Sequence, residues 1–229
     1  MDLGGALGLI LSGDPALVAI VRLSLFVSLS ATLIAALVGL PLGAFLALTR
    51  FPGRSAAVIT LNALMGLPPV VVGLVVFLAF SRSGPLGFLG LLFTPRAMII
   101  AQAILIAPII AALTRQVVED LWAEYREELD AMGVSRMGQA ATLLWDGRFA
   151  LVTVLLAGFG RAAAEVGAVM IVGGNIDGYT RVMTAAIALE TSKGDLPLAI
   201  GLGLILITIV MAVNMLAWSI RTWAARHAG

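Results

Sequence analysis

Residues 23–49 read LSLFVSLSATLIAALVGLPLGAFLALT, a run of 27 residues without one charged side chain. About 20 apolar residues in a helix are enough to cross the hydrocarbon core of a bilayer, so this run predicts a transmembrane helix. Four more stretches have a similar character, at residues 55–81, 97–114, 149–176 and 196–220. The sequence therefore predicts an all-α membrane protein with about five transmembrane helices, in a single domain that covers residues 1–229.

The overall composition supports a membrane protein. Of the 229 residues, 61% are hydrophobic and 12% are charged, and the mean hydropathy is +1.08. A soluble domain of this length exposes far more charge. The chain has no cysteine, which excludes disulfides and thiolate metal sites. The sparse charges predict no nucleic-acid partner, and the short apolar stretch at residues 3–11 predicts an interfacial helix.

The orientation follows from the basic residues in the loops, because cytoplasmic loops carry an excess of Lys and Arg. With the N-terminus outside, eight basic residues lie inside and four lie outside. The inner set is Arg50, Arg54, Arg115, Arg126, Arg136, Arg148, Arg221 and Arg226, and the outer set is Arg82, Arg96, Arg181 and Lys193. We therefore predict an N-out, C-in topology with a cytoplasmic loop at 115–148 and an outer loop at 173–195.

The cytoplasmic loop is the only long polar segment between the apolar stretches. At its centre stands EELDAMGVSR, residues 127–136. Acidic residues, a helix-forming run and then a glycine predict a short amphipathic helix that ends in a sharp turn at Gly133. An element of this kind on one side of a bilayer is typical of a docking site for a partner protein.

Two ionisable residues, Arg161 and Glu165, lie inside the fourth predicted span. They are four residues apart, so on one helix their side chains would meet. The pair either fixes the packing of the helix or forms part of a gate beside a translocation path. Because its charges cancel, a high-affinity anion site is not expected there. Small residues at 160, 164 and 168 predict close helix packing on the same span.

Prolines and an outer segment suggest further features of a path. Pro68 and Pro69 predict a bent second span, which suits either a gated path or packing geometry alone. Residues 180–192 predict a short helix that re-enters the membrane or serves as a docking ridge outside.

No enzymatic chemistry is predicted. An intramembrane protease needs Ser/His, paired Asp or a metal cluster within its spans, and the single histidine is His227, near the C-terminus. The sequence also contains no GxxxxGK[ST] motif, so ATP is not bound here by a P-loop. A stand-alone channel or secondary transporter is a second alternative, but five spans do not divide into two equal repeats.

The cytoplasmic loop resembles the EAA loop of permease subunits in type I ABC importers. Glu127, Glu128 and Leu129 occupy its first three places and Gly133 its glycine, while residues 143–146 (LLWD) stand where the motif usually carries Ile-x-Leu-Pro. Residues 67–73 (LPPVVVG) resemble the second-span signature of oxyanion permeases. Residues 160–168 (GRAAAEVGA) and 174–176 (GNI) resemble the fourth-span signature of molybdate, sulfate and tungstate permeases. The variant at 144–146 and residues 185–195 are most similar to the tungstate-type branch.

The resemblance implies the type I ABC importer permease fold and a functional homodimer in the plasma (inner) membrane of a prokaryote. It implies two cytoplasmic ATP-binding subunits, an extracytoplasmic oxyanion-binding protein and import of tungstate, with molybdate or sulfate as alternatives. No cofactor is expected on this chain, and ATP is expected on the partner subunit. The implied ATPase-coupling residues are Glu127, Glu128, Asp130, Gly133, Val134, Ser135 and Arg136. The residues expected at the path or gate are Pro68, Pro69, Arg161 and Glu165.

Overall fold

The computed structural model describes residues 14–227, with the side chains at 217, 220, 221 and 223–227 left out. The predicted interfacial helix at residues 3–11 lies outside this range. All regular structure within the range is helical, as the sequence predicts. The helices are α1 (Pro15–Leu48), α2 (Arg54–Leu64), α3 (Pro69–Phe80), α4 (Pro95–Ala131), α5 (Arg136–Asp146), α6 (Arg148–Ala163), α7 (Gly167–Gly173), α8 (Met183–Lys193) and α9 (Leu196–His227), with a 3-10 turn at Gly87–Leu89.

The long helices α1 and α4 form the centre of the molecule. Each begins with a proline at its first position, where the missing N–H costs nothing, and Asp14 caps α1 through the backbone N–H groups of Ala16 and Leu17. On α1, Gly39 and Gly43 face α4. A Cβ at Gly43 would lie 2.5 Å from the carbonyl oxygen of Ala111, so the two backbones pack more closely than any side chain would allow.

The number of possible membrane spans is three to five by length and composition. The helices α1 and α4 and residues 196–216 of α9 are each long and apolar enough. Two bent pairs raise the number to five if each pair counts as one span, namely α2 with α3 at 99° and α5 with α6 at 77°. The prediction of about five spans lies at the upper end of this range.

The second predicted span, residues 55–81, is a sharp corner and not a single helix. A bend of 99° separates α2 from α3. The backbone of Pro68 is extended, with ψ at 123°, and Pro69 begins α3. A residue before proline is pushed out of the helical region, so consecutive prolines end one helix and begin another. The predicted bend is confirmed, and it is larger than a kink.

The fourth predicted span, residues 149–176, was expected as one helix, and that prediction is wrong. The helix α6 ends at Ala163, and α7 begins at Gly167. The side chain of Glu165 stabilises the break, because its Oε1 accepts the backbone N–H of Ala168 at 3.0 Å and so caps α7. The small residues at 160, 164 and 168 consequently do not form a stripe on one helix. Instead Ala168 packs on α3, where a Cβ at Gly73 would lie 2.9 Å from its Cα.

The segment predicted to lie outside folds back into the helical core. After turns at Gly174 and Gly178, both with positive φ, the helix α8 packs on α1 and α9 through a cluster that includes Met183, Ala186, Leu17 and Leu202. The N–H of Met183 donates to the Ser24 hydroxyl at 2.7 Å. Ser24 is nine residues into α1, about 14 Å along its axis. The start of α8 therefore lies well along α1 from its N-terminal end, which favours re-entry over docking at that end.

Candidate functional site: a polar helix break and a polar turn

The predicted coupling residues Glu127, Glu128 and Asp130 lie in the last turns of α4. The prediction of a short separate helix at residues 127–133 is wrong. The 37-residue α4 continues to Ala131, because its polar half contains no helix breaker. The sharp turn at Gly133 is confirmed, with φ at +66°.

The turn closes with a Schellman motif. The N–H of Gly133 donates to the Asp130 carbonyl at 3.1 Å, and the N–H of Val134 donates to the Leu129 carbonyl at 3.2 Å. These two bonds satisfy carbonyls that the end of α4 would otherwise leave unpaired.

The separate short helix of this region is α5, which follows the turn. Its cap is Ser135, whose Oγ accepts the N–H of Gly138 at 3.3 Å. The side chain of Gln139, 2% exposed, joins both helices: it donates to Asp130 Oδ1 at 3.1 Å and accepts from Arg136 at 3.0 Å. These hydrogen bonds hold α5 against the end of α4, so the two can move as one rigid body.

Large apolar side chains are exposed around this turn. Met137 is 84% exposed, Trp145 68% and Met132 67%. The sequence interpretation singled out the charged residues and missed these three. Their position on an otherwise polar segment was the available signal, because exposed apolar residues on a polar element often mark a docking site.

Ion pairs join the end of α1 and the start of α2 to α4. Glu119 accepts from Arg54 at 2.6 Å and also pairs with Arg115, while Arg54 donates to the carbonyl of Leu46. The loop between α1 and α2 is therefore expected to move with α4.

Farther along α4, beyond the predicted span, the charge of Glu124 raises the pKa of the Tyr125 phenol above its ordinary value of 10.0.

The predicted contact between Arg161 and Glu165 is confirmed, although the two residues do not lie on one helix. Arg161 Nη1 lies 2.6 Å from Glu165 Oε2. The Glu165 side chain is 3% exposed, whereas that of Arg161 is 33% exposed. The carboxylate therefore depends on the arginine more than the arginine depends on the carboxylate.

Side chains from distant helices complete the polar cluster around the break. Gln102 of α4 donates to the Ala162 carbonyl at 3.0 Å, and Thr184 of α8 donates to the Glu165 carbonyl at 2.7 Å. Within the described part of the chain, Gln102 Oε1 is buried without a partner. The cavity between these groups and Ser28 is about 10 Å³, room for one water at most. The space between these side chains is therefore too small for an anion.

Sequence interpretation missed Gln102, Thr184 and Ser24. Gln102 carries the only side-chain amide in the apolar stretch 97–114, which was a usable signal. Thr184 and Ser24 gave none, because single hydroxyl residues are common in membrane helices and usually bond their own backbone.

The structure brings the bend after Pro68 beside the break at Glu165. A Cβ at Gly167, the first residue of α7, would lie 2.9 Å from the side chain of Val70 in the first turn of α3. The four predicted path residues thus belong to one region. The turn at Gly133 lies elsewhere, because Ala131 is 29 residues beyond Gln102 on α4, about 43 Å along the helix axis.

Comparisons with known proteins identify the family. No protein-family model matches the chain. The chain is 43% identical to the tungstate uptake system permease protein TupB of Peptoclostridium acidaminophilum, over 94% of this chain and 95% of the relative. It is 42% identical to a probable anion ABC transporter permease protein of Haloferax volcanii, over 87% and 88%. A more distant relative is the molybdenum transport system permease protein ModB of Escherichia coli, at 27% identity over 89% and 93%.

Several helices long and apolar enough to cross a membrane, with a polar turn between two of them, define an integral membrane protein. The chain belongs to the family of anion ABC transporter permease proteins. It is a multi-pass subunit of the plasma (inner) membrane and not itself an enzyme, in agreement with the transport role of these relatives.

Proposed function

We propose that this chain is the membrane-spanning subunit of an ATP-driven importer that carries tungstate into the cytoplasm. The observation that supports this most strongly is the 43% identity to a tungstate uptake permease over nearly the whole of both chains. Relatives named for sulfate and molybdenum transport match at 28% and 27% identity, so molybdate and sulfate are the alternative substrates.

The partners follow from the same family. Two copies of this chain form one pathway, with the N-terminus outside and the C-terminus inside. Two cytoplasmic ATPase subunits bind and hydrolyse ATP, and an extracytoplasmic protein delivers the anion. This chain binds no cofactor of its own.

The coupling residues act through α5. Glu127, Glu128 and Asp130 present carboxylates at the end of α4, and the Schellman turn at Gly133 and Val134 directs the chain into α5, which Ser135 and Arg136 begin. The ATPase docks on this element and on the exposed side chains of Met132, Met137 and Trp145. Nucleotide-driven closure of the ATPase then tilts α5 as a rigid body.

The tilt reaches the closed polar cluster along two helices. The helix α4 continues from the turn to Gln102, and α6 continues from the other end of α5 to Ala162, whose carbonyl accepts from Gln102. A relative movement of α4 and α6 breaks that hydrogen bond and separates the helices at the level of Glu165. The bend at Pro68 and Pro69 and the break between α6 and α7 give the region places to rearrange without unfolding a continuous helix.

The charges at the proposed gate favour the passage of an anion over its retention. The charges of Arg161 and Glu165 cancel, so an anion meets no strong attraction there and is not retained. Selection among oxyanions then rests on the delivery protein.

Competition for uptake tests the substrate. The complex of this chain with its ATPase and binding protein is reconstituted in vesicles, and radiolabelled tungstate uptake is measured against unlabelled tungstate, molybdate and sulfate. Tungstate is expected to compete best, and uptake is expected to stop without ATP. Stronger competition by molybdate or sulfate would reassign the substrate, whereas uptake that needs neither ATP nor the ATPase would point to a channel or secondary transporter.

A further inference from the structure

A basic cavity lies at the cytoplasmic end of the molecule, separate from the polar helix break. It is about 450 Å³ in volume and opens between the end of α1, the last turns of α4 and the start of α5. Its lining consists of Leu48, Thr49, Arg50, Trp122, Arg126 and Arg136. Of these lining residues, only Arg136 belongs to the proposed coupling element.

The three arginines of the cavity are poorly neutralised. Arg126 has one carboxylate partner, Asp130, at a long 3.6 Å, and that carboxylate also accepts from Gln139. Arg136 donates one N–H to Gln139, and its guanidinium lies 5.2 Å from the centre of the Trp122 ring. Among the described residues, Arg50 has neither an ion-pair nor a hydrogen-bond partner. The cavity therefore has a net positive charge and several free N–H donors.

Glu119, which precedes Trp122 by three residues on the same side of α4, does not supply the missing charge. Glu119 is already shared by Arg54 and Arg115. Guanidinium groups arranged in this way suit an oxyanion that can accept several parallel hydrogen bonds, above all a phosphate group.

The cavity opens at the end of a long apolar helix, where lipid headgroups are expected. The helix α1 ends at Leu48, and around that end the exposed rings of Phe45 and Phe51 stack at 5.7 Å. Tryptophan is enriched at the membrane–water interface, and Trp122 lines the cavity. Basic pockets between helices at this depth on the cytoplasmic side are suited to anionic headgroups.

We propose that this cavity binds a phosphate group, and its position favours the headgroup of an anionic phospholipid in the cytoplasmic leaflet over free phosphate. The volume accommodates a headgroup with its glycerol, and Leu48 and Trp122 provide an apolar wall for the latter. A phosphate held there joins Arg50, two residues after the end of α1, to Arg136 of α5, and so links the coupling element to the end of the first helix.

Lipid binding to the full-length protein tests this proposal without any measurement of transport. The protein is purified in a neutral detergent and depleted of lipid. Its thermal unfolding midpoint is then measured against added phosphatidylglycerol, against inorganic phosphate at constant ionic strength, and against phosphatidylcholine as the neutral control. Native mass spectrometry counts the lipid molecules that remain bound.

Two single variants remove one guanidinium each, Arg50→Gln and Arg126→Gln. Each is expected to weaken the apparent affinity for phosphatidylglycerol about tenfold, as for the loss of one charge-assisted hydrogen bond. The matched control is Arg82→Gln, an exposed arginine of the other end of the molecule, which should leave the affinity unchanged. Two positions are tested so that a folding defect in one leaves the other informative.

The outcomes separate the sources of the phosphate. Stabilisation by phosphatidylglycerol that both variants weaken supports a lipid headgroup, and stabilisation by inorganic phosphate alone, with the same sensitivity, supports a soluble ligand. The idea is overturned if neither ligand raises the unfolding midpoint of the wild-type protein, or if both variants bind as the wild type does. Binding by the wild type that is insensitive to salt would also overturn it, because charge pairing at an open cavity is screened.

Discussion

Replacing Arg161 with alanine should destabilise the protein more than replacing its partner Glu165 with glutamine, although the same ion pair is lost in both cases. The reason is the difference in burial, 3% exposure for Glu165 and 33% for Arg161. In Arg161→Ala a buried carboxylate loses its counter-charge, which costs about 3 to 5 kcal/mol. In Glu165→Gln the remaining arginine reaches solvent or headgroups, and the new amide oxygen can still accept from Ala168, so the cost is about 1 to 2 kcal/mol.

The measurement is the free energy of unfolding of each full-length variant in mixed micelles, with the dimer fraction recorded in parallel. The double variant Arg161→Ala/Glu165→Gln is the control, and it should be more stable than Arg161→Ala alone because no buried charge remains unpaired. The reasoning fails if Glu165→Gln costs as much as Arg161→Ala. A variant Arg161→Ala that assembles normally and loses only transport would favour a gate over a packing role.

Three further expectations concern the turn, the central helix contact and the orientation. Gly133→Val should abolish uptake while the subunit stays in the membrane, because valine at φ +66° costs about 1 to 2 kcal/mol in backbone strain. Asparagine tolerates this conformation, so Gly133→Asn should retain uptake. Normal transport by the valine variant would remove the coupling assignment. Gly43→Ala should lower the free energy of unfolding by about 1 to 3 kcal/mol, because the added Cβ meets the α4 backbone at 2.5 Å. The control is Gly203→Ala on α9, which should change the free energy little because a Cβ there meets nothing within 4 Å. Equal effects of the two variants would contradict the packing argument. The chain has no cysteine, so single cysteines can be introduced as labels for its orientation. The exposed positions 137 and 88 serve for this: Met137→Cys should react with an impermeant thiol reagent only from the cytoplasmic side, and Phe88→Cys only from the outside. The reverse pattern would overturn the topology and with it the coupling mechanism.

Local composition was sufficient to predict the class of fold. The charge-free stretch 23–49 predicts a transmembrane helix because lipid leaves a backbone no partner outside the helix itself. The glycine after the acidic run predicts the turn at Gly133 for a similarly local reason, since that conformation strongly favours a residue without a side chain. The bend at Pro68 also followed from its immediate neighbours, although its size did not.

The start of the coupling element and the shape of the fourth span did not follow from local pattern. Residues 127–131 continue α4 because the preceding polar segment has no breaker, so the independent short helix is α5 and not the acidic run. In the apolar stretch 149–176 nothing local requires the chain to leave the helix at residues 164–166.

The helix break combines local hydrogen bonds with groups that the chain brings from far away. The Ala162 carbonyl accepts the N–H of Glu165, and Gln102, 60 residues earlier, adds a second donor to it; the Glu165 carbonyl accepts from Thr184, 19 residues later. In an apolar interior an unpaired carbonyl is costly, so the carbonyl that the break frees at Glu165 needs a donor that only folding supplies. Composition and neighbouring residues therefore specify which segments are apolar enough to enter the membrane and where the turn at Gly133 lies. Where a helix opens within an apolar stretch, and which groups surround the opening, is decided by contacts between segments that are distant in the chain.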